Sequence, residues 1–132
     1  MSRSEVDLLK DRSLRMLSSA RDSLAKGDYD IAAFMAEQSI QLYAKSILLE
    51  YAGEIPRIHA LRQLLNSLKT TVDKPSQIDQ FVARNRSLLI RLEDTYINSR
   101  YTPREYEKEE TRELVDFAQE AIDFVKNLKG KA

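Results

Sequence analysis

At 132 residues the chain is long enough for one domain with a buried core and too short for a second. With 42% hydrophobic and 32% charged residues and only three glycines and three prolines, the composition suits long helices and excludes a disordered polymer. The 21 basic and 21 acidic side chains cancel, which excludes a global field drawing the protein to nucleic acid or an anionic membrane, and the lack of cysteine excludes disulfides, thiolate nucleophiles and sulfur-ligated zinc.

The N-terminus is polar, and no apolar run approaches the roughly 18 residues needed to span a bilayer. Neither export nor membrane contact is signalled, so a cytoplasmic location is expected. Ser4, with Asp7 three residues on and then Leu8 and Leu9, opens helix 1, a weaker relative of the capping box. Val6, Leu9, Met16, Leu17, Ala20 and Leu24 recur at three- and four-residue steps as far as about Lys26, and Gly27 supplies the stop.

Helix 2, from about Tyr29 to Ala52, carries two apolar stripes on opposite sides. One holds Ile31, Phe34, Met35, Leu42 and Leu49; the other holds Ala33, Ala36, Ile40, Ile47 and Tyr51. A helix apolar on two sides must be covered on two sides, by neighbours in its own bundle or by a second subunit, and a homodimer is expected.

The run Gly53-Glu54-Ile55-Pro56 closes helix 2. A short helix 3 spans about Ala60 to Lys69, followed by a loop from Thr70 to Ser76. Helix 4 is predicted from about Gln77 to Tyr101, with Asn85 inside its seam as a hydrogen-bonded register device, and Thr102-Pro103 ends it. Helix 5 starts near Glu105, its acidic first turns and its final lysines matching the helix dipole. No strand alternation and no internal repeat occurs. The fold class is all-α: an antiparallel up-and-down bundle of about five helices, one domain over residues 1–132.

His59 is the only histidine, so histidine-pair metal sites are excluded by count, no glycine-rich phosphate loop exists, and no cofactor is expected. Gln38 and Lys45 share the arc of Ile31, Leu42 and Leu49. A lysine there must snorkel or find an anion such as Glu37 or Glu50. If helix 4 runs parallel to helix 2, then Lys45, Arg57, His59, Arg100 and Tyr101 share one pole, with cations for phosphate and an aromatic face for a base. Charge is also unevenly spread: residues 57–104 hold nine basic and four acidic side chains, a local excess of five. Such an excess fits phosphates on a small ligand or an RNA strand, and it also fits an ordinary solvated face.

Three stretches together carry a family likeness: Gly27-Asp28-Tyr29-Asp30-Ile31-Ala32-Ala33-Phe34 with Ala36-Glu37-Gln38 and Lys45; Arg57-Ile58-His59-Ala60-Leu61 leading to Leu64-Leu65; and Tyr96-Ile97-Asn98-Ser99-Arg100-Tyr101. The chain resembles a HEPN domain, the nucleotide-binding domain of higher eukaryotes and prokaryotes, over roughly residues 5 to 128. The resemblance implies a bundle of about five helices, frequent homodimers and, in prokaryotes, a separately encoded minimal nucleotidyltransferase as partner in a toxin–antitoxin-like pair.

Some members of that family are toxins that cleave RNA through an Arg followed after four to six residues by His. Here the positions preceding His59 at that spacing are Ala52, Gly53 and Glu54, so the chain departs from the motif. The leading expectation is a non-catalytic protein that binds a nucleotide or the transferase through the shared pole, with RNA as the other candidate ligand. Two alternatives are a metal-independent RNase using Tyr101 or Tyr106 near Arg100, against which tyrosine's pKa near 10 argues, and a purely structural dimeric adaptor.

Overall fold

In the computed structural model, which describes residues 3–98 and 104–131, six α-helices follow one another: α1 (Arg3–Lys26), α2 (Tyr29–Ala52), α3 (Leu61–Ser67), α4 (Pro75–Arg84), α5 (Arg86–Asn98) and α6 (Lys108–Lys126), with a single 3₁₀ turn over Leu68–Thr70 after α3. No strand occurs among the described residues; one isolated bridge joins Val72 to Gly130. The expected all-α bundle is thus the fold observed.

The two long N-terminal helices form an antiparallel hairpin. Gly27 and Gly53 end α1 and α2 at φ of 84° and 81°, a left-handed conformation that costs glycine little and other residues more. The hairpin is close-packed because small residues line it: Ser13 Oγ donates to the Ser39 carbonyl at 2.6 Å, and both serines are fully buried. Lys10 pairs with Glu50 at 3.2 Å near the far end.

Helix α2 is the central element, as its two apolar stripes require. It packs against α1 and α6 on one side and against α3, the 3₁₀ turn and α5 on the other. Most of both stripes is therefore covered by this chain's own helices, while Ile31 of one and Tyr51 of the other stay exposed. Helix α6 runs parallel to α2, and Gly130, in the segment after α6, lies against the Tyr51 ring.

The predicted helix 4 is two helices. Asn85 takes φ −111° and ψ 21° at the end of α4, outside the helical well. Its backbone N–H and its side-chain Nδ2 both donate to the Phe81 carbonyl, at 3.1 Å and 2.9 Å. Asparagine competes with the helical ladder through such local bonds. The residue read as a register device inside one helix is instead the break between two. Before the break, Phe81 fixes α4 by stacking on Phe124 of α6, with ring centroids 4.1 Å apart.

Helix α5 runs antiparallel to α2, against the expectation that helix 4 would be parallel to it. Tyr96 meets Phe34 while Glu93, one turn earlier, faces Glu37, one turn later. The physical reason lies in the connection after Gly53. Residues 53–60 turn back along α2 until His59 reaches Gln41, and α3, only seven residues long, does not count as a full pass of the bundle. The long passes are α1, α2, α4 with α5, and α6, each antiparallel to the one before.

Candidate ligand-binding face

The returning segment 53–60 is held against α2 by a polar cluster at the bundle's middle. Gln41 Nε2 donates to the His59 carbonyl at 2.6 Å and to Glu37 Oε2 at 2.7 Å. Gln38 Nε2 donates to the other carboxylate oxygen of Glu37 at 2.7 Å. The pair Glu37 and Gln41 sits at i, i+4 on one helix, where side chains meet.

Helix α3 then begins at an alanine, Ala60, whose side chain cannot cap it. Glu93 of α5 supplies the missing acceptor from across the bundle: its carboxylate accepts from the Arg62 backbone N–H at 3.1 Å and from the Arg62 guanidinium at 2.7 and 3.0 Å. Such a two-pronged pair is directional as well as strong. His59 is thus fastened on both sides, by Gln41 at its own carbonyl and by Glu93 three residues on.

So held, the exposed His59 imidazole lies on the Tyr96 ring, with centroids 5.9 Å apart and planes within 16°, and Tyr96 in turn leans on Phe34. Lys45 stands one turn beyond Gln41 on α2, half-buried. Its pKa is lowered by burial, and the negative charge of Glu37 opposes that. Glu37 itself is fully buried. Burial pushes its carboxyl from 4.5 up to about 7, against the pull of the Gln41 and Gln38 hydrogen bonds and the Lys45 charge, while Glu93 pushes it further up.

Of the residues expected at one pole, the structure places Lys45 one helical turn from Gln41, which binds the His59 carbonyl, with the exposed Arg57 two residues before His59 and free of any acidic partner among the described residues. Arg100 and Tyr101 lie outside the described residues. The parallel-helix argument that put them with Lys45 fails, since α5 runs the other way. Of the two weighed counter-ions for Lys45, Glu37 acts on it and Glu50 is engaged by Lys10. Tyr106 is buried, with the Arg104 guanidinium 4.1 Å over its ring. Among the described residues no group of three or more His, Asp or Glu could hold a metal.

Sequence reasoning missed Glu93 and Tyr96 as parts of this face and saw Glu37 only as a counter-ion. The signal for Tyr96 was a ring with a polar tip in an otherwise aliphatic seam, next to the only histidine-bearing loop. Nothing in sequence pairs Glu93 with Arg62, 31 residues away.

The HEPN domain family model matches residues 6–128, nearly the whole chain. The chain belongs to the HEPN family. Among solved structures this HEPN domain is similar to TT1696 from Thermus thermophilus, at 27% identity and a TM-score of 0.74, over 92% of this chain and 95% of that one. It is also similar to ST0689, an archaeal HEPN homologue, at 25% identity and a TM-score of 0.65, over 96% of this chain and 97% of that one. Among curated proteins none matches. No helix of the described HEPN domain is long and apolar enough to cross a membrane.

Proposed function

We propose that this HEPN domain is a non-catalytic binding protein that takes a nucleotide on the face formed by Lys45, Arg57 and His59, backed by Tyr96. Arg100 and Tyr101 are further ligand contacts on this reading. Its partners are a minimal nucleotidyltransferase, in a toxin–antitoxin-like pair, and a second copy of the chain.

One observation carries the reading: the only histidine is exposed, stacked on a tyrosine and tied down on both sides, with two cations on neighbouring positions. A planar pair held open to solvent suits stacking on a base, which is worth about 1–3 kcal/mol. Lys45 and Arg57 offer charge-assisted donors to the phosphates. Against catalysis stands the sequence before His59, where Ala52, Gly53 and Glu54 occupy the positions an arginine would need.

Calorimetric titration with AMP, ATP and GTP tests the proposal. Binding by the wild type, weakened at least about tenfold by Lys45→Ala and left unchanged by Arg21→Ala on α1, is the expected result. Equal affinities in all three proteins, or no binding by the wild type, would refute it.

A further inference from the structure

Lys45 is the only basic side chain of α2. It forms no salt bridge among the described residues, and the acid that acts on its half-buried ammonium is Glu37. Glu37 in turn is fully buried and neutralised by no salt bridge. Its two carboxylate oxygens are each met at 2.7 Å by an amide, Oε1 by Gln38 and Oε2 by Gln41, and amides bring hydrogen bonds without net charge. The charges that act on it are Lys45 on its own helix, which favours the anion, and Glu93 on α5, which opposes it. Glu93 is engaged by Arg62 of α3. The segment 53–60 carries Glu54, Arg57 and His59, all exposed, and α1 and α6 supply no charge that acts on Glu37 among the described residues.

The hydrogen bonds also fix where a proton enters this cluster. A protonated carboxyl must donate, so one of the two amides has to turn its oxygen toward it. Gln41 is not free to turn, because its Nε2 also donates to the His59 carbonyl at 2.6 Å and a turned amide would set oxygen against oxygen. Gln38 is half-buried and has no other hydrogen-bond partner among the described residues. Glu37 therefore takes a proton at Oε1, facing Gln38, and the fastening of His59 survives.

We infer that phosphate binding at Lys45 is coupled to the uptake of a proton by Glu37, so that the face holds its ligand more tightly in mildly acid than in mildly alkaline solution. The inference rests on the nucleotide reading given above and adds its regulation by pH. The coupling follows from charge. A phosphate beside Lys45 draws on the same ammonium that stabilises the Glu37 anion, and its own negative charge adds to that of Glu93, so both effects favour the neutral carboxyl. Burial has already pushed this carboxyl up to about 7, and a further rise changes its proton occupancy around neutral pH. A solvated carboxyl would stay ionised there with or without phosphate. Linkage is reciprocal: a ligand that raises the proton affinity of Glu37 is itself bound more tightly by the protonated form.

The test follows the Glu37 side-chain carboxyl carbon by NMR in carbon- and nitrogen-labelled wild type, assigned through its covalent neighbours, from pH 5 to pH 9 with and without saturating AMP. The expected result is a titration midpoint raised by AMP by about one pH unit, which corresponds to an affinity about tenfold higher for the protonated form. Calorimetry with AMP at pH 6 and pH 9 gives the reciprocal reading. The ionisations of the AMP phosphate and of His59 are common to wild type and Glu37→Gln, so affinity should fall about tenfold further in the wild type than in the variant over that range. AMP that binds while the Glu37 midpoint stays still, or moves down, overturns the inference and leaves the nucleotide reading standing. A wild type that binds no AMP at any pH overturns both. The midpoint is measured on the wild type alone, so it decides the matter even where Glu37→Gln folds poorly.

Discussion

The rings of His59 and Tyr96 lie nearly parallel, with centroids 5.9 Å apart and planes 16° from each other, although one sits in a connecting segment and the other near the end of α5. Their meeting depends on α5 running back toward the start of α2, and on the segment 53–60 folding against α2 to bring His59 as far as Gln41. The face proposed to hold a nucleotide is therefore a consequence of topology and of two polar fastenings.

The fastening by Glu93 predicts the effect of Glu93→Ala. The carboxylate caps α3 and holds Arg62, so its loss removes a cap worth about 1 kcal/mol and loosens the loop that presents His59. A lower melting temperature together with weaker nucleotide binding is expected. A variant with lowered stability and unchanged affinity would show that Glu93 serves the fold alone.

Glu37 predicts a pH dependence. Its folded pKa of about 7 lies above the usual 4.5, so the folded state holds the proton more tightly, and the contribution to stability is present below pH 4.5 and lost as pH rises to about 7. The stability of Glu37→Gln relative to wild type should therefore rise between pH 5 and pH 8, by up to about 3 kcal/mol. Urea unfolding at both pH values measures it. A difference that stays constant with pH would contradict the account.

Phe81 is the anchor of α4. It is 2% exposed and stacks on Phe124 and Phe117. Phe81→Ala should cost about 3–5 kcal/mol, read by denaturant unfolding, and a loss under about 1 kcal/mol would mean that α4 is held by something else.

Asn85→Ala tests the helix break. It removes the side-chain bond to the Phe81 carbonyl, a loss of about 1 kcal/mol, and it lets α4 and α5 compete to form one helix. Urea unfolding measures the loss, and a variant as stable as the wild type would show that the side-chain bond contributes nothing.

Much of the fold was legible because its signals are local. The glycines that stop α1 and α2, the two stripes of α2 and the dipole-matched charges of α6 each act within a few residues, and the first two helices end where the sequence predicts. The α-helical part of helix 3 is shorter than its apolar spacing suggests, its last turn being 3₁₀. The break at Asn85 escapes the sequence because a polar residue in an apolar seam reads equally as a register device, and only the backbone geometry decides.

The site was less legible. Lys45 and its partner Glu37 follow from helical spacing, since a lysine in an apolar arc requires an anion. The direction of α5 does not, because it depends on whether a short α3 counts as a pass of the bundle, and Arg100 and Tyr101 of the expected pole lie outside the described residues. Glu93 with Arg62 and Tyr96 with His59 are long-range pairings that no local period announces.

The single histidine offers the most direct measurement of the central claim. Its imidazole gives a single Cε1–H cross-peak in a proton–carbon NMR spectrum, so titrating AMP reports the face without ambiguity. The account predicts a saturable shift of the His59 ring signal in the wild type, weakened by Lys45→Ala and unaffected by Arg21→Ala. A His59 signal that stays still while AMP binds elsewhere, or that does not move at any AMP concentration, would contradict it.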